Sequence, residues 1–406
     1  MSVNLTVFEA FHVIEGLKIG YCNAGIKQTQ RQDLVVIELA NTATTAGIFT
    51  QNAFCAAPVQ ICKEHLEQAH TQYLIINTGN ANAGTGKAGF DDAMNICQTL
   101  ADFKGVDVKS VLPFSTGVIG ERLPLEKIIS SIPDALSNLS EGHWFEGSRG
   151  IMTTDTQPKG VSTQFKYKGE TISISGISKG AGMIKPNMAT MLGFIATDAL
   201  VSKETLQEIC SELGEKSFNR ITIDGDTSTN DSCMLMATGT CKLPELNNRS
   251  DEFYEVLKAE LEKVFIYLAQ AIVRDGEGAT KFVSIDVNKC ENTNEALRVA
   301  YTVAHSPLVK TALFASDANW GRILAAVGRS GVKNIVLEDI QIFLDDVCIV
   351  ENGARASSYT EEAGASVMSQ QELSIRIDMG RGNASETVWT TDLSHEYVTI
   401  NAEYRT

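Results

Sequence analysis

Short β-branched runs alternate with amphipathic helical stretches in both halves of this chain, and that alternation is what most limits its fold. Leu34-Val-Val-Ile-Glu-Leu39 and Tyr73-Leu-Ile-Ile76 are brief, continuous and apolar, the pattern of strands buried on both faces. Between Asp91 and Phe103, residues Met94, Leu100, Ala101 and Phe103 can share a helix face. Lys166-Tyr-Lys168 and Thr171-Ile-Ser-Ile-Ser175 flank Gly169 as the arms of a hairpin. In the second half, Glu204 to Phe218 and Phe253 to Val273 carry one-sided apolar stripes, and Gly276 stops the second. Strands are expected at Phe282 to Val287, Asn334 to Leu344, Glu372 to Ile377 and, at the chain end, Tyr397-Val-Thr-Ile400. Strands and helices interspersed throughout predict an α/β layered fold.

The hairpin leads into the stretch that gives the chain its chemical interest, Ser178 to Thr197. Its first part holds Lys179, Gly180, Gly182, Lys185, Pro186 and Asn187; immediately after Ala189 it turns apolar. An exposed loop entering a buried strand reads this way. Thr190 stands at the entry. Thr after Ala at a strand edge is ordinary strand chemistry, but a cut at Ala189-Thr190 would give Thr190 a free α-amino group beside its own hydroxyl. That amine titrates near ~7.7 to 8.0, against ~10.4 for a lysine, so it can serve as base to the adjacent nucleophile at neutral pH.

Composition narrows the function classes. The 406 residues are 43% hydrophobic and 21% charged, as in a globular protein with a large core, and length alone suggests two or three domains. A net charge of −16 without a basic run disfavours nucleic acid and anionic membrane surfaces as partners. The first twelve residues lack a basic n-region or Arg-rich transit character, and no apolar run approaches the ~18 residues of a membrane span, so the cytoplasm is the expected location. Nine cysteines without a Cys-x-x-Cys fit reduced thiols. The six histidines show no metal-ligand spacing, so no metal site is expected.

Three motifs suggest other chemistry. Gly176-Ile-Ser-Lys-Gly180 fits a hydrolase nucleophile elbow, with His305 or His395 downstream, yet Gly180, Gly182 and Pro186 make the required helix after Ser178 costly. Ala81-Asn-Ala-Gly-Thr-Gly-Lys-Ala88 resembles a phosphate loop, but Ala81 and Ala88 occupy the glycine and magnesium-ligand positions. Asp224, Asp226, Ser228 and Asp231 suggest a calcium loop, but Thr229 and Leu235 replace its glycine and bidentate glutamate, which leaves turn and capping roles.

Seven motifs, in order, resemble one known family. They are Asn77-Thr-Gly-Asn-Ala-Asn82, Ser115-Thr-Gly-Val-Ile-Gly-Glu121, Ile151-Met-Thr-Thr-Asp-Thr156, Asp224-Gly-Asp-Thr-Ser-Thr-Asn-Asp231, Arg274-Asp-Gly-Glu-Gly-Ala-Thr-Lys281, Asn319-Trp-Gly-Arg322 and Tyr397 to Thr406. With Met188-Ala-Thr-Met-Leu192 they resemble the ornithine acetyltransferase (glutamate N-acetyltransferase) family from about residue 20 to the end. Gly84 and Ala318 depart from its pattern, at positions outside the proposed chemistry.

The resemblance implies a layered α-β-β-α sandwich of the self-cleaving N-terminal-nucleophile type, with an additional smaller α/β domain. It implies cleavage at Ala189-Thr190 into chains 1–189 and 190–406, assembled as two of each. Thr190 would be the nucleophile, Thr116 and Gly117 the oxyanion hole, and Thr153, Lys179, Thr190, Glu277, Asn401 and Thr406 the substrate-binding set. Lys179 would supply a cation for a carboxylate, Glu277 an anion for an ammonium, and Thr153 and Asn401 neutral hydrogen bonds. The implied reaction is a double displacement that moves acetyl from N-acetylornithine to glutamate without a metal or organic cofactor, with acetyl-CoA a possible second donor. Two alternatives remain open on the residues: a self-cleaving aminopeptidase or amidase that passes its acyl group to water, and a nucleotide-binding protein using the loop around Gly86.

Overall fold

The structure, a computed structural model, describes residues 2–26, 31–185 and 191–403. The chain forms two compact units, one comprising Thr6–Asn219 with Asp226–Ile272 and the other Met1–Leu5, Arg220–Gly225 and Val273–Thr406. The cleavage expected at Ala189-Thr190 is a different division, since segments on both sides of that bond contribute to the first unit.

In chain order the first unit contains β1 (Leu17–Cys22), β2 (Leu34–Leu39), β3 (Thr44–Phe49), α1 (Ala57–Gln68), β4 (Tyr73–Asn80), α2 (Gly86–Lys104), β5 (Val111–Val118), α3 (Leu125–Ser137), α4 (Trp144–Gly150), β6 (Lys159–Tyr167), β7 (Glu170–Lys179), β8 (Leu192–Thr197), α5 (Lys203–Lys216), β9 (Ser232–Ala237) and α6 (Glu252–Arg274). Two sheets result, ordered β1-β2-β4-β5 and β3-β9-β8-β7-β6. Ile37, Leu74, Ile76, Leu112 and Phe114 of the first sheet meet Ile177, Phe194, Ala196, Met234 and Met236 of the second in one buried core. The other face of the first sheet packs Val36, Ile75 and Val111 against Ile96, Leu100, Ile128 and Ile132 of α2 and α3. On the far face of the second sheet, Gly176 leaves room for Val264 and Leu268 of α6, and α5 covers β3 and β9. The layering is therefore α-β-β-α. The continuous apolar runs of β2 and β4 follow from it, since those strands are buried on both faces.

The second unit holds β10 (Phe282–Cys290), α7 (Thr293–Ala304), α8 (Pro307–Phe314), α9 (Trp320–Gly328), β11 (Gln341–Leu344), β12 (Val347–Glu351), β13 (Ala354–Arg355), α10 (Glu361–Met368), β14 (Glu372–Asp378), β15 (Ala384–Thr391) and α11 (His395–Ala402). Its sheet runs β13-β12-β11-β14-β10-β15, with Val283, Ile285, Ile342, Ile375 and Val388 packed with Val299, Val303, Ile323 and Val327 of α7 and α9.

The hairpin about Gly169 and the strands at 34–39, 73–76, 282–287 and 372–377 form where the sequence places them. Three expectations are corrected. The helix expected from Asp91 starts at Gly86, because Gly89, lacking a Cβ, lets the Asn82 side chain reach its carbonyl (Nδ2 to O, 2.8 Å). Of the strand expected over 334–344 only β11 forms; Asn334 takes a left-handed φ of 55° and Leu337–Asp339 makes a 3-10 turn. The strand expected at Tyr397 to Ile400 is instead α11. Ser394 caps it by accepting from Tyr397 N at 3.3 Å and Glu396 sits in its first turn, so end signals outweigh three β-branched residues.

Candidate functional site

Thr116 and Gly117 lie near the end of β5, which runs parallel to β4 until a register shift at Gly79 and Asn80. Gly117 has φ of 137°, and a Cβ there would sit 2.5 Å from Asn80 N, so only glycine fits. Asparagines of the first motif hold this strand end. Asn77 donates to Asn80 O at 2.9 Å and accepts from Ser115 Oγ at 2.6 Å; Asn80 Nδ2 donates to Glu121 O and Arg122 O at 3.1 and 3.0 Å. Asn230, from the fourth motif, adds bonds from Nδ2 to Ala81 O (2.6 Å) and Ser115 O (2.9 Å). Motifs distant in sequence thus serve one strand end.

Lys179, the last residue of β7, is 3% exposed and donates from Nζ to Thr116 Oγ1 at 3.3 Å. An ammonium only donates, so this bond occupies a lone pair of the Thr116 hydroxyl and leaves its proton available to another acceptor. That polarity suits a developing oxyanion.

Beneath Lys179 lies Asp155, which sequence reasoning passed over. Its Oδ1 accepts from Lys159 Nζ at 2.6 Å and Gly180 N at 2.7 Å; its Oδ2 accepts from Thr153 N at 2.8 Å and faces Lys179 Nζ at 4.0 Å. Burial alone would push this carboxyl up, but Lys159, Lys179 and the Gly180 N–H override it and hold it far below the usual range. Thr153 and Lys179 are therefore joined through one buried anion. The signal in the sequence was Asp155 followed by Lys159 four residues on, ambiguous without knowing that both are buried.

Asp231 immediately precedes β9 and is fully buried. Its Oδ1 accepts from Met191 N at 2.8 Å, while Ser232 N donates to Met191 O at 3.1 Å. Burial pushes its carboxyl well above the usual range against the opposing Met191 N–H, the Lys179 charge and the Ser228 and Thr50 hydroxyls. This is a capping role of the kind expected for the acidic motif. Ala189 and Thr190 themselves lie outside the described residues.

In the other unit, Glu277 is 8% exposed and its Oε2 accepts from Asn401 Nδ2 at 2.8 Å. Gly278 next to it has φ of 67°, and a Cβ would lie 2.5 Å from Tyr397 N. The Gly278 carbonyl accepts from Ser394 Oγ at 2.6 Å, the hydroxyl that also caps α11. A short loop and one helix thus pair the predicted Glu277 and Asn401. Thr406 lies outside the described residues.

Ser178 is no elbow: it pairs with Lys159 and Gly193 inside the sheet and donates to Leu268 O at 3.3 Å. At the loop around Gly86, Lys87 Nζ binds Asp91 at 2.9 Å along α2, beside an open cleft of about 630 Å³ lined by Phe54, Gln60, Asn82 and Gly84. All nine cysteines are free thiols. Among the described residues no group of three His, Cys, Asp or Glu could hold a metal ion, and no helix is long and apolar enough to cross a membrane.

The layered sandwich, the glycine-only strand end and the buried lysine-carboxylate cluster define a protein of the α/β class with a preorganised polar centre. The chain belongs to the ArgJ family, whose sequence profile matches residues 18–406. It is 58% identical to the arginine biosynthesis bifunctional protein ArgJ of Pseudomonas fluorescens (strain Pf0-1) and 57% identical to that of Pseudomonas syringae pv. tomato, over 406 residues and the whole of each chain. The crystal structure of the arginine biosynthesis bifunctional protein from Bacillus halodurans is 36% identical, with a TM-score of 0.50 over 52% of this chain and 99% of that one.

Proposed function

We propose that this protein is an acetyltransferase of arginine biosynthesis that cleaves itself at Ala189-Thr190 and moves acetyl from N-acetylornithine to glutamate through an acetyl-Thr190 ester. The observation that carries the reading is the Lys179 to Thr116 hydrogen bond, which leaves a hydroxyl donor at a glycine-only strand end. Thr190 Oγ adds to the acetyl carbonyl while its own α-amino group takes the hydroxyl proton. The tetrahedral oxyanion is met by Thr116 O–H and Gly117 N–H, each such donor worth about 3 kcal/mol in a transition state. Collapse returns the proton to ornithine's departing amine. Glutamate's amine then attacks the ester, its proton passing to the Thr190 amine as acetylglutamate forms and the hydroxyl is regenerated.

Glu277, held by Asn401, is the anion for the ornithine ammonium, Lys179 the cation for a substrate carboxylate, and Thr153 and Thr406 supply further polar contacts. The word bifunctional in the relatives' names supports acetyl-CoA as a second donor. The protein works in the cytoplasm as two chains of 1–189 and two of 190–406.

Mass spectrometry of purified protein is the test. Two fragments, one beginning at Thr190, and an acetyl adduct on that fragment after mixing with N-acetylornithine are expected; Thr190→Ala should remain intact and inactive. An active but unbroken wild-type chain refutes the reading. Free acetate forming faster than acetylglutamate would instead establish the hydrolase alternative.

A further inference from the structure

Glu277 sits in a tight turn closed by Ala279 N, which donates to Gly276 O at 2.9 Å, with Gly278 third in the turn at φ of 67°. Such a turn aims its side chain reliably only if the chain leaving it is fixed. The antiparallel ladder of β10 and β15 does not reach that far, since it ends at the Phe282–Thr391 pair. Beyond it the Asp392 side chain takes over. Its Oδ1 accepts from Thr280 N at 2.8 Å and Lys281 N at 3.0 Å, and its Oδ2 from Thr280 Oγ1 at 2.6 Å. Asp392 is 4% exposed, and a carboxylate, with two oxygens and several lone pairs, suits three converging donors as a hydroxyl or a single carbonyl does not.

Two residues further on, Ser394 donates to Gly278 O and caps α11, the helix that carries Asn401. The segment Asp392 to Ser394 therefore grips both the turn bearing Glu277 and the helix bearing its partner. It is anchored in its own right: Leu393 N donates to Lys310 O at 3.2 Å, and Lys310 Nζ to Thr390 Oγ1 at 3.1 Å.

We infer that Asp392 is a positioning residue for donor binding: through the backbone of 278–281 it sets where the Glu277 carboxylate stands, and so how well that carboxylate holds the side-chain ammonium of N-acetylornithine. The inference rests on the proposed role of Glu277. Asp392 acts through Glu277 and the Asn401 helix, and the reacting groups do not enter the argument.

Steady-state kinetics of the purified full chain, with glutamate saturating, test this. Asp392→Ala strands the two N–H groups, and a shift of Glu277 by about 1 Å should raise KM for N-acetylornithine about tenfold or more while kcat changes less than about threefold. Asp392→Asn keeps Oδ1 for both N–H groups, and the Thr280 hydroxyl can turn to accept from the amide, so its KM should stay within about threefold of wild type. Asp392→Glu keeps the charge but lengthens the reach by one methylene, and should raise KM as the alanine variant does; it answers the question if Asp392→Ala fails to fold. A residue acting only through Glu277 loses its effect once that carboxylate is gone, so in a Glu277→Gln background Asp392→Ala should change KM by less than about twofold. Equal factors in the two backgrounds, or wild-type KM for the alanine or glutamate variant, overturn the assignment. Should Glu277→Gln alone leave KM for N-acetylornithine unchanged, the proposed role of Glu277 fails, an outcome distinct from Glu277→Gln weakening binding while Asp392→Ala does not.

Discussion

Replacing Asp155 with asparagine tests whether the buried cluster under Lys179 is built around a charge. Asp155 and Lys159 side chains are both 0% exposed, at 2.6 Å. Four donors converge on the carboxylate: Lys159 Nζ and Gly180 N on Oδ1, Thr153 N on Oδ2, and Lys179 Nζ facing Oδ2. An asparagine amide has one oxygen, so either flip points an NH₂ at a donor. It also leaves the Lys159 ammonium without its counter-ion. Removing one partner of a buried pair typically costs about 3–5 kcal/mol, which in a domain of this size lowers Tm by roughly 6–20 °C. Thermal unfolding followed by circular dichroism reads this directly. Asp155→Asn combined with Lys159→Met removes the stranded charge and should recover part of the loss, giving a favourable coupling between the two changes. A single variant within about 1 kcal/mol of wild type, or a double variant worse than the sum of the singles, would refute the argument. The carboxyl's low folded-state pKa adds a pH signature. The stability it contributes is fully present above the ordinary carboxylate range and is lost as pH falls through that range toward the folded value.

Two further outcomes are expected. Lys310 is fully buried and donates to Thr390 Oγ1 at 3.1 Å and to the Thr391 carbonyl; burial lowers its pKa to about 8, with Asp392 and Asp224 opposing. The unfolded chain therefore holds more protons between pH 8 and about 10.4, so the stability of wild type relative to Lys310→Met should rise by up to about 3 kcal/mol across that window in denaturant titrations; a constant difference would contradict it. Gly117→Ala should lower Tm, because the strained φ alone costs about 1–3 kcal/mol before the encounter with Asn80, and should cut acetyl transfer by 10²-fold or more; an alanine variant with wild-type stability would show that the strand end is not glycine-only.

Much of this architecture could be read from residues because its elements are locally determined. The run Leu34 to Leu39 and the stripe along α6 carry their burial in their own spacing. The chain end misled for the opposite reason: Val398, Thr399 and Ile400 favour a strand, but Val398 is 61% exposed and a single serine cap sets the helix. At the polar centre, Thr116, Gly117, Thr153 and Lys179 were legible through their motifs. Asp155 and Lys159 were not, since their meaning depends on burial and on partners in other strands. Asp231 was visible only as one acid among three in a polar run, and its bond to Met191 spans 40 residues.

The order β3-β9-β8-β7-β6 has a mechanical consequence for a nicked protein. Strands β8 and β9 follow the proposed scissile bond in sequence, yet the pair is flanked on both sides by strands that precede that bond, β7 beside β8 and β3 beside β9. Were the chain cut at the proposed bond, the two pieces would stay clasped, with the sheet as a splint across the cut. Severing one peptide bond would release two chain ends without releasing either piece, and parting them would mean tearing two ladders at once.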